Sequence, residues 1–451
     1  MLTRFNVGNF LSFKEVQEFS MLKGKPISKG ERVYDSGKLK VLKFGALFGA
    51  NASGKSNFVK SIAFARDLIV PSLQQRRPLG EFAFKLDGSY QIKPSYFEFE
   101  ILLDDCLYSY GFEIILKEDQ FVSEWLIKLS PTGSDFKIFS RDIMSGEITT
   151  DLKIEDRSLR NKFKVYLDDI RGNRETLFLS EMNRNKNQLY AQESSLTIIK
   201  KVFDWFSHDL EIVYPNKPIS PLANFWASQE KEQICKIIKD FSTGIVNYEE
   251  VEVDLEQELK YVQKSDAIRV KNYIDELQKM GTPNRGIILN LNDSYFFIML
   301  DEDRNISTTS LKFSHGEGTP LFDFIEESDG TRRILDLLEI LLTKEDKVFV
   351  IDEIDRSLHP QLTYRFIKYF LHLANKRNIQ LIVTTHESRL LDFDLLRQDE
   401  IWLSEKNLEG ATVLYSLDEY NVRFDRKVDK AYLEGRYGGV PIFTSLFPLE
   451  E

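Results

Sequence analysis

The sequence predicts an α/β fold with a mainly parallel sheet, an antiparallel β subdomain and an inserted helical lobe. Apolar runs of strand length dominate residues 1–120. Residues 121–290 are rich in charged residues and show mainly helical periodicity. Strand and helix patterns then alternate over residues 291–405, before a tail at residues 406–451. Alternation of this kind implies parallel strands, because each helix carries the chain back to the starting edge of the sheet.

The composition is that of an ordinary globular protein and excludes several classes of function. The chain has 451 residues and a net charge of −11, which argues against nucleic-acid binding by bulk charge alone. Cys106 and Cys235 are the only cysteines, so neither a disulfide framework nor a cysteine-based zinc site is expected. No signal peptide and no membrane-length apolar run is visible, so we expect a cytoplasmic protein. The five histidines show no spacing typical of a catalytic metal cage.

The first 120 residues carry strands around one helix. The predicted strands are Leu2–Val7, Val16–Leu22, Val41–Phe48, Ser95–Leu103 and Leu107–Leu116. The predicted helix is Asn57–Val70, and an exposed loop is expected at Gln74–Arg77.

The segment Gly49–Ser56 fits the phosphate-loop pattern G-x-x-x-x-G-K-[ST] at every fixed position, between a strand and a helix as that motif requires. Gly49 and Gly54 let the backbone curl so that N–H groups face phosphate oxygens. Lys55 would reach the β- and γ-phosphates, and the Ser56 hydroxyl would hold Mg²⁺. A chance glycine-rich turn is the alternative. We expect nucleotide contacts from Gly49, Asn51, Gly54, Lys55, Ser56 and Asn57.

The middle region, residues 121–290, begins with strands and continues as helices. The strands are Phe121–Leu129 and Lys137–Ser140. The helices are Leu159–Asp169, Leu196–Phe206, Gln229–Phe241 and Leu255–Lys279. No heptad pattern persists, so a long coiled coil is not expected. Packing is the ordinary explanation of this lobe, and a surface that senses a partner or ligand is the alternative.

Residues 290–405 return to alternating strands and helices. The strands are Tyr295–Leu300, Val348–Ile351, Gln380–Thr384 and, at the end, Asp399–Ser404, followed by Thr412–Tyr415. The helices are Thr331–Leu342 and Gln361–Ala374.

Two carboxylates follow the buried strand Val348–Ile351. Ligands of α/β folds bind beyond the carboxyl ends of strands, where Asp352 and Glu353 would lie. Asp352 would hold Mg²⁺ through its water shell, and Glu353 would orient and deprotonate an attacking water. Two acids at a plain surface turn are the alternative interpretation.

Two further positions complete the pattern. His386 ends the Gln380–Thr384 strand, where it could donate a hydrogen bond to a γ-phosphate. Ser328 or Asp329 can cap the helix that follows, and Gly330 would let a phosphate approach the start of that helix. A structural histidine and a simple helix cap are the corresponding alternatives.

The order of these motifs resembles the ABC-type ATPases, the superfamily of RecF, SMC and transporter ATPase heads. More narrowly, the chain resembles AAA-annotated ATPases of prokaryotic defence, the overcoming-lysogenization-defect, RloA, abortive-infection and Septu PtuA relatives. The segments Asn9–Phe13 and Tyr432–Pro441 resemble the RloA-like branch. The resemblance covers roughly residues 1–120 and 290–445.

The resemblance implies ATP and Mg²⁺ as ligands and a head-to-tail homodimer or higher homo-oligomer. ATP would be sandwiched between the phosphate loop of one subunit and Ser328 and Gly330 of the other. Glu353, His386 and Lys55 would be catalytic, and Asp355 would belong to the D-loop. Ser56 and Asp352 would hold the metal.

This chain departs from the pattern of the resembled family at two places, and no motif marks its Q-loop glutamine. Asp329 stands where the signature usually has glycine, and Leu11 replaces the usual arginine of the N-terminal motif. A carboxylate beside a phosphate site must point away or be paired. Gln91, in a polar turn before the Ser95–Leu103 strand, is the candidate for the Q-loop glutamine.

The resemblance also implies a function. We expect a sensor or scaffold in antiphage defence that controls a separate effector, Toprim-like or HNH, since the stretch after His386 is too short for a fused Toprim nuclease. The alternative is a RecF- or SMC-like repair ATPase stimulated by DNA, with local cations at Arg76, Arg77, Lys200 and Lys201. A binding module using ATP only as structural glue is the third hypothesis. A membrane partner is not expected, and a transporter ATPase or hexameric motor does not fit the order of the motifs.

Overall fold

A computed structural model describes most of the chain. The described residues are 1–24, 32–71, 78–130, 133–215, 222–227, 231–260, 262–280, 286–291, 294–300, 305–420 and 428–440. They divide into two compact units. Unit 1 comprises Met1–Pro215, Glu345–Ile354 and Leu371–Glu451, and unit 2 comprises Asn216–Lys344 and Asp355–Phe370. The domain boundaries predicted at residues 120, 290 and 405 stay a prediction.

The elements follow in chain order. The strands are β1 (Leu2–Gly8), β2 (Gln17–Ser20), β3 (Val33–Asp35), β4 (Lys40–Leu42), β5 (Phe44–Gly49), β6 (Ser95–Leu103), β7 (Cys106–Ile115), β8 (Gln120–Leu129), β9 (Phe136–Asp142), β10 (Glu147–Thr149), β11 (Leu210–Val213), β12 (Asn247–Glu252), β13 (Gly286–Leu291), β14 (Ser294–Leu300), β15 (Ile306–Ser314), β16 (Leu321–Asp323), β17 (Val348–Ile351), β18 (Gln380–Thr385), β19 (Ile401–Lys406) and β20 (Thr412–Ser416). The α-helices are α1 (Lys55–Ile69), α2 (Arg157–Ile170), α3 (Phe178–Asn183), α4 (Thr197–Asp204), α5 (Ala223–Ala227), α6 (Lys231–Asp240), α7 (Leu255–Glu258), α8 (Lys264–Met280), α9 (Asp329–Leu342), α10 (Pro360–Ala374) and α11 (Val428–Leu433).

Unit 1 contains a central sheet of six strands in the order β11-β17-β18-β5-β19-β20. The first five run parallel and β20 pairs antiparallel with β19, so the sheet is mainly parallel. Every residue of β5, β17 and β18 is buried, as expected for strands covered on both faces. The predicted α/β fold class is therefore confirmed.

A second sheet of unit 1 is antiparallel and has the order β10-β9-β8-β7-β6-β1-β2. It forms the predicted antiparallel β subdomain, and its strands β8, β9 and β10 lie within the region predicted as the inserted lobe. Helix α1 shares one hydrophobic core with this sheet, since Phe58 contacts the rings of Phe5 and Phe19. The phosphate-loop helix is thereby fixed by aromatic packing.

Unit 2 contains a separate antiparallel sheet of order β12-β15-β14-β13, with β16 paired to β15. Helix α9 belongs to this unit and buries an apolar stripe that includes Ile334, Leu337, Leu338 and Leu341. Among the described residues, no helix is long and apolar enough to cross a membrane.

Two element predictions were wrong. The single strand predicted at Val41–Phe48 is two strands in different sheets, β4 and β5, interrupted at Lys43. The Lys43 side chain is buried and its Nζ donates to Ala374 O at 2.6 Å and Arg377 O at 3.0 Å. The single helix predicted at Leu255–Lys279 is the pair α7 and α8. The loop predicted at Gln74–Arg77 lies outside the described residues.

Candidate functional site

The phosphate loop connects β5 to α1 at the carboxyl end of the central sheet. Its backbone enters the left-handed region at Ala52, with φ 64°, and at Gly54, with φ 114°. A Cβ on Gly54 would overlap the Thr412 side chain, and one on Gly49 would lie 2.6 Å from Ser404 O. Gly54 is thus required by its left-handed backbone and by the nearby Thr412 side chain, and Gly49 is required by its close approach to Ser404.

Hydroxyl groups from β19, β20 and the N-terminal turn hold this loop. Ser53 Oγ lies 2.7 Å from Ser404 Oγ, and Thr412 Oγ1 donates to Ser53 O at 2.8 Å. Asn57 Nδ2 donates to Ser12 Oγ at 2.8 Å, which directs the Asn57 amide toward the N-terminal turn. Asn51 is exposed on the loop. The loop is therefore built into its curled form by the protein's own side chains.

Lys55 connects the loop to His386, the predicted donor to a γ-phosphate. Its Nζ donates to Gly49 O at 2.8 Å and Ala50 O at 2.9 Å, and it lies 3.4 Å from His386 Nδ1. Lys55 is buried whereas His386 is exposed. The structure brings together two residues separated by more than half the chain, because β18 pairs directly with β5.

Asp352 and Ser56 meet at the end of β17. The Ser56 hydroxyl donates to Asp352 Oδ1 at 3.1 Å, and Thr384 Oγ1 donates to the same oxygen at 2.6 Å. A serine hydroxyl beside a carboxylate is an all-oxygen donor set of the kind that Mg²⁺ prefers. The residues predicted for the metal therefore fit a magnesium ion held with several waters. The described residues contain no cluster of three or more His, Cys, Asp or Glu side chains that could hold a metal by themselves.

Glu353 follows with an unusual backbone conformation. Its φ is 51°, in the left-handed region that non-glycine residues rarely enter, and its N–H donates to Thr384 Oγ1 at 2.8 Å. Strained residues of this kind cluster at functional sites, where the surrounding structure enforces them. The Glu353 side chain is half-buried, so it has access to solvent.

Thr384 is the residue of this site that sequence reasoning missed. It accepts from Glu353 N and donates to Asp352, so one hydroxyl fixes both neighbouring acids. The local signal for Thr384 is its place directly before Thr385 and His386, at the end of β18. The partners of the loop, Ser404 and Thr412, gave no comparable signal.

Tyr214 follows β11 on the other side of β17. Burial, together with Asp67 and Asp352, raises the pKa of Tyr214 to about 12. The phenol therefore stays protonated and neutral at physiological pH.

In unit 2, Ser328 caps α9 as predicted. Its Oγ accepts from Thr331 N at 3.2 Å, and both Ser328 and Asp329 are exposed. Asp329, the departure from the usual glycine, pairs with Arg332 Nη2 at 2.6 Å. A Cβ on Gly330 would lie 3.0 Å from Ser357 O, so close packing against the turn that contains Ser357 favours glycine at this position. This is a second reason for glycine, in addition to the predicted approach of a phosphate.

The same helix α9 contains a buried acid. Burial raises the pKa of Asp336 to about 7, although Arg333 and Arg332 act in the opposite direction. Gln91, the candidate Q-loop glutamine, lies in unit 1 and donates to Phe84 O at 3.4 Å. Its role stays a prediction.

Three solved structures of SMC heads align with most of the chain at low similarity. An SmcHead bound to the C-winged helix domain of ScpA has 14% identity and a TM-score of 0.42, with 92% of this chain and 97% of that chain covered. The SMC head domain from Thermotoga maritima has 12% identity and a TM-score of 0.35, covering 92% and 98%. An Smc head domain with an extended coiled coil, bound to the C-terminal domain of ScpA from Pyrococcus furiosus, has 14% identity and a TM-score of 0.42, covering 96% and 99%.

No curated protein matches the chain. A protein family described as "AAA domain, putative AbiEii toxin, Type IV TA system" matches residues 44–392, a range that begins at the first residue of β5 and ends after His386. Because this range covers most of the 451 residues and contains the phosphate loop, Asp352, Glu353 and His386, the chain belongs to that AAA-domain family.

Proposed function

We propose that the protein binds ATP with Mg²⁺ and hydrolyses it. The observation that carries this proposal is the convergence of Lys55, Ser56, Asp352 and Glu353 at the carboxyl end of the parallel sheet, within one compact unit. Lys55 would exchange its bonds to Gly49 O and Ala50 O for the β- and γ-phosphates. Mg²⁺, when bound through Ser56 and Asp352, would neutralise charge on the phosphate oxygens.

Glu353 then has the role of base. Its backbone is fixed at φ 51° by the Thr384 hydroxyl, and its carboxylate follows directly after the metal-binding Asp352. Phosphoryl transfer depends on positioning and electrostatics more than on covalent chemistry. Glu353 would orient the attacking water and accept its proton, and His386 would donate a hydrogen bond to the γ-phosphate.

The test of hydrolysis compares phosphate release by the wild type, Glu353→Gln and Lys55→Ala. We expect Glu353→Gln to bind ATP and to turn over at least 100-fold more slowly, and Lys55→Ala to lose binding. Glu118→Gln, an exposed acid outside the site, is the matched control and should turn over as the wild type does. Phosphate release by Glu353→Gln at the wild-type rate would remove Glu353 from the mechanism.

We further infer that two copies enclose ATP head to tail. The support is the exposed start of α9, where Ser328 and Gly330 stand at a helix N-terminus suited to phosphate oxygens. Mass photometry of Glu353→Gln should show a dimer or larger assembly with ATP and Mg²⁺ and a monomer without them. Ser328→Arg should abolish the assembly, whereas Ser158→Arg, in the first turn of α2, should not. Assembly that ignores ATP would favour the hypothesis of a structural scaffold.

The cellular role that fits best is a sensor or scaffold that controls a separate effector in antiphage defence. The family's description refers to AbiEii and to a type IV toxin–antitoxin system, which supports a setting in defence. We expect a Toprim-like or HNH nuclease, or a toxin, to co-purify with the tagged chain expressed from its native locus. Growth arrest caused by this chain alone, without a neighbouring gene, would instead make the chain itself the toxin.

The repair hypothesis predicts hydrolysis stimulated by DNA. Two of its proposed cations already have acidic partners, since Lys200 Nζ lies 2.9 Å from Asp204 Oδ1 and Lys201 Nζ lies 2.6 Å from Asp104 Oδ2. Arg76 and Arg77 lie outside the described residues. We expect phosphate release to change less than twofold with duplex or single-stranded DNA, and a tenfold stimulation would favour the repair hypothesis.

A further inference from the structure

The C-terminal segment Val428–Val440, here the tail segment, contains a glycine-rich motif that the proposed mechanism does not use. It begins with α11 and continues through Gly435, Gly438 and Gly439, all in the left-handed region with φ of 76°, 71° and 69°. Glycine is the residue that adopts this conformation without steric cost. A run of such positions indicates a backbone path that is closely specified.

The tail segment lies against the strand that leads into the phosphate loop. The Tyr432 ring packs edge-on against Phe48, with ring centroids 6.4 Å apart, and the Tyr432 hydroxyl donates to Gly439 O at 2.9 Å. A Cβ on Gly439 would lie 3.7 Å from Gly49 Cα and 3.5 Å from Ser404 O. The backbone at Gly439 therefore rests on the first glycine of the phosphate loop.

The glycine turn is fixed from β19 and β20. Gly439 N donates to Glu405 Oε2 at 3.3 Å, and Tyr415 Oη donates to Tyr437 O at 2.7 Å. A Cβ on Gly438 would overlap both the Glu405 carboxylate and the Tyr415 hydroxyl. Polar side chains of the central sheet thus hold the turn in one place.

At its other end, α11 packs beside the turn Ser388–Leu390, which begins two residues after His386. The tail segment therefore contacts both the Gly49 end of the phosphate loop and the turn that follows His386. Lys55 Nζ connects the same two places, since it donates to Gly49 O and lies 3.4 Å from His386 Nδ1.

We propose that the tail segment is a positioning element of the nucleotide site. In this role, Tyr432 and Gly439 keep Gly49 and the turn after His386 at fixed positions on either side of Lys55. The inference rests on the proposed ATPase function. This role requires no contact between the tail segment and ATP. Small displacements of positioned groups affect the transition state more than the bound substrate, so the effect should fall on kcat and not on KM.

The test measures kcat, KM for ATP and Tm for Tyr432→Phe and Gly439→Ala. Tyr432→Phe keeps the ring on Phe48 and removes the hydrogen bond to Gly439 O. Its matched control is Tyr190→Phe, which removes the 3.2 Å bond from Tyr190 Oη to Met182 O. Gly37→Ala is the control for Gly439→Ala, because Gly37 has a φ of 78° and nothing within 4 Å of an added Cβ.

We expect both tail variants to lose at least fivefold in kcat with KM within twofold of the wild type, and both controls to stay within twofold in kcat. The Tm of each tail variant should match that of its control within about 2 °C. Wild-type turnover by both tail variants would overturn this inference alone. A wild type that releases no more phosphate than Lys55→Ala would overturn the proposed function, and the inference with it.

Discussion

At the scale of single residues, Thr384 shows how one side chain can set the geometry of two acids. Its hydroxyl accepts from Glu353 N and donates to Asp352 Oδ1, so the donor and acceptor capacities of the group are both used. Replacement of Thr384 by valine would keep the shape of the side chain. It would remove the acceptor of the Glu353 N–H, and with it the hydrogen bond that holds Glu353 at its strained φ. This arrangement explains why a polar residue follows the apolar residues Leu381–Val383 in a strand whose residues are all buried.

Glu400 gives a pH dependence at this scale. It is fully buried and accepts from Arg397 N at 2.7 Å, and burial raises the pKa of its carboxyl to about 7 despite Arg32 and Arg397, with Asp399 adding to the rise. In the folded protein the pKa of the Glu400 carboxyl exceeds its usual value of 4.5. The contribution of Glu400 to stability is therefore complete below pH 4.5 and is lost as the pH rises through about 7.

We therefore expect Glu400→Gln to be more stable than the wild type at pH 8, by about 1–3 kcal/mol, and similar to it at pH 5. Urea unfolding at the two pH values measures the difference. Glu419→Gln is the matched control, because Glu419 accepts from Ser416 N in the same capping arrangement but is exposed. An equal pH response in the wild type and in Glu400→Gln would show that Glu400 is ionised in the fold.

At the scale of elements, a buried ion pair joins the antiparallel sheet to two helix ends. Arg141 Nε donates to Glu124 Oε2 at 2.9 Å, and neither side chain is exposed. The Arg141 guanidinium also donates to Ile170 O, Asn173 O and Thr176 O, at and beyond the end of α2. The Glu124 carboxylate accepts from Phe178 N and Leu179 N at the start of α3.

Arg141→Met should lower the free energy of unfolding by about 3–5 kcal/mol, because it leaves the Glu124 carboxylate buried without its cation. The control is Arg171→Met, which breaks the exposed pair with Asp168 and should cost about 0.5 kcal/mol or less. Urea unfolding followed by tryptophan fluorescence measures both. Similar losses in the two variants would show that the buried pair gives no particular stability.

Much of the fold was predictable at this scale because long apolar runs specify their own strands and helices. The strand prediction Ser95–Leu103 is confirmed as β6, and the helix Gln361–Ala374 is confirmed as α10 from Pro360. Strands β11 and β12 were missed, because they are short or charged and depend on pairing with β17 and β15 from distant parts of the chain. Pairing of this kind leaves no local periodicity.

The candidate site also contains residues that the sequence could predict and residues that it could not. Lys55, Ser56, Asp352 and His386 stand in motifs with a physical spacing, and the structure brings these four together. Thr412 and Ser404 hold the loop only through the final fold, so nothing in their local sequence could predict them. The roles of Ser328 and Gly330 toward a nucleotide stay predictions.

At the scale of the whole molecule, nucleotide binding should appear in both compact units if ATP is enclosed by two copies. Hydrogen–deuterium exchange of Glu353→Gln with ATP and Mg²⁺ should slow both at the phosphate loop in unit 1 and at Ser328–Thr331 in unit 2. An ATP concentration about 100 times Kd adds about 2.7 kcal/mol of stability to the binding state.

Ser328→Arg should keep the protection at the phosphate loop and lose the protection at the start of α9. The reason is that ATP reaches the start of α9 only from another subunit, whereas it binds the phosphate loop of a single chain. Lys55→Ala should lose both and serves as the negative control. Protection at the phosphate loop alone in Glu353→Gln would contradict the enclosed dimer and leave ATP binding intact.

The place of β5 in the central sheet has a consequence for biosynthesis. Both of its neighbours, β18 and β19, come from beyond residue 379, whereas the antiparallel pairs β6–β7 and β7–β8 form between adjacent stretches of chain. Pairings distant in sequence form late, and domains acquire structure as they emerge from the ribosome. The nascent chain can therefore complete its antiparallel subdomain early. The apolar strand Phe44–Gly49 stays unpaired until β18 and β19 have been synthesised. Slow translation or a chaperone that shields this strand should raise the yield of folded protein, and an incomplete nascent chain cannot hold a formed phosphate loop.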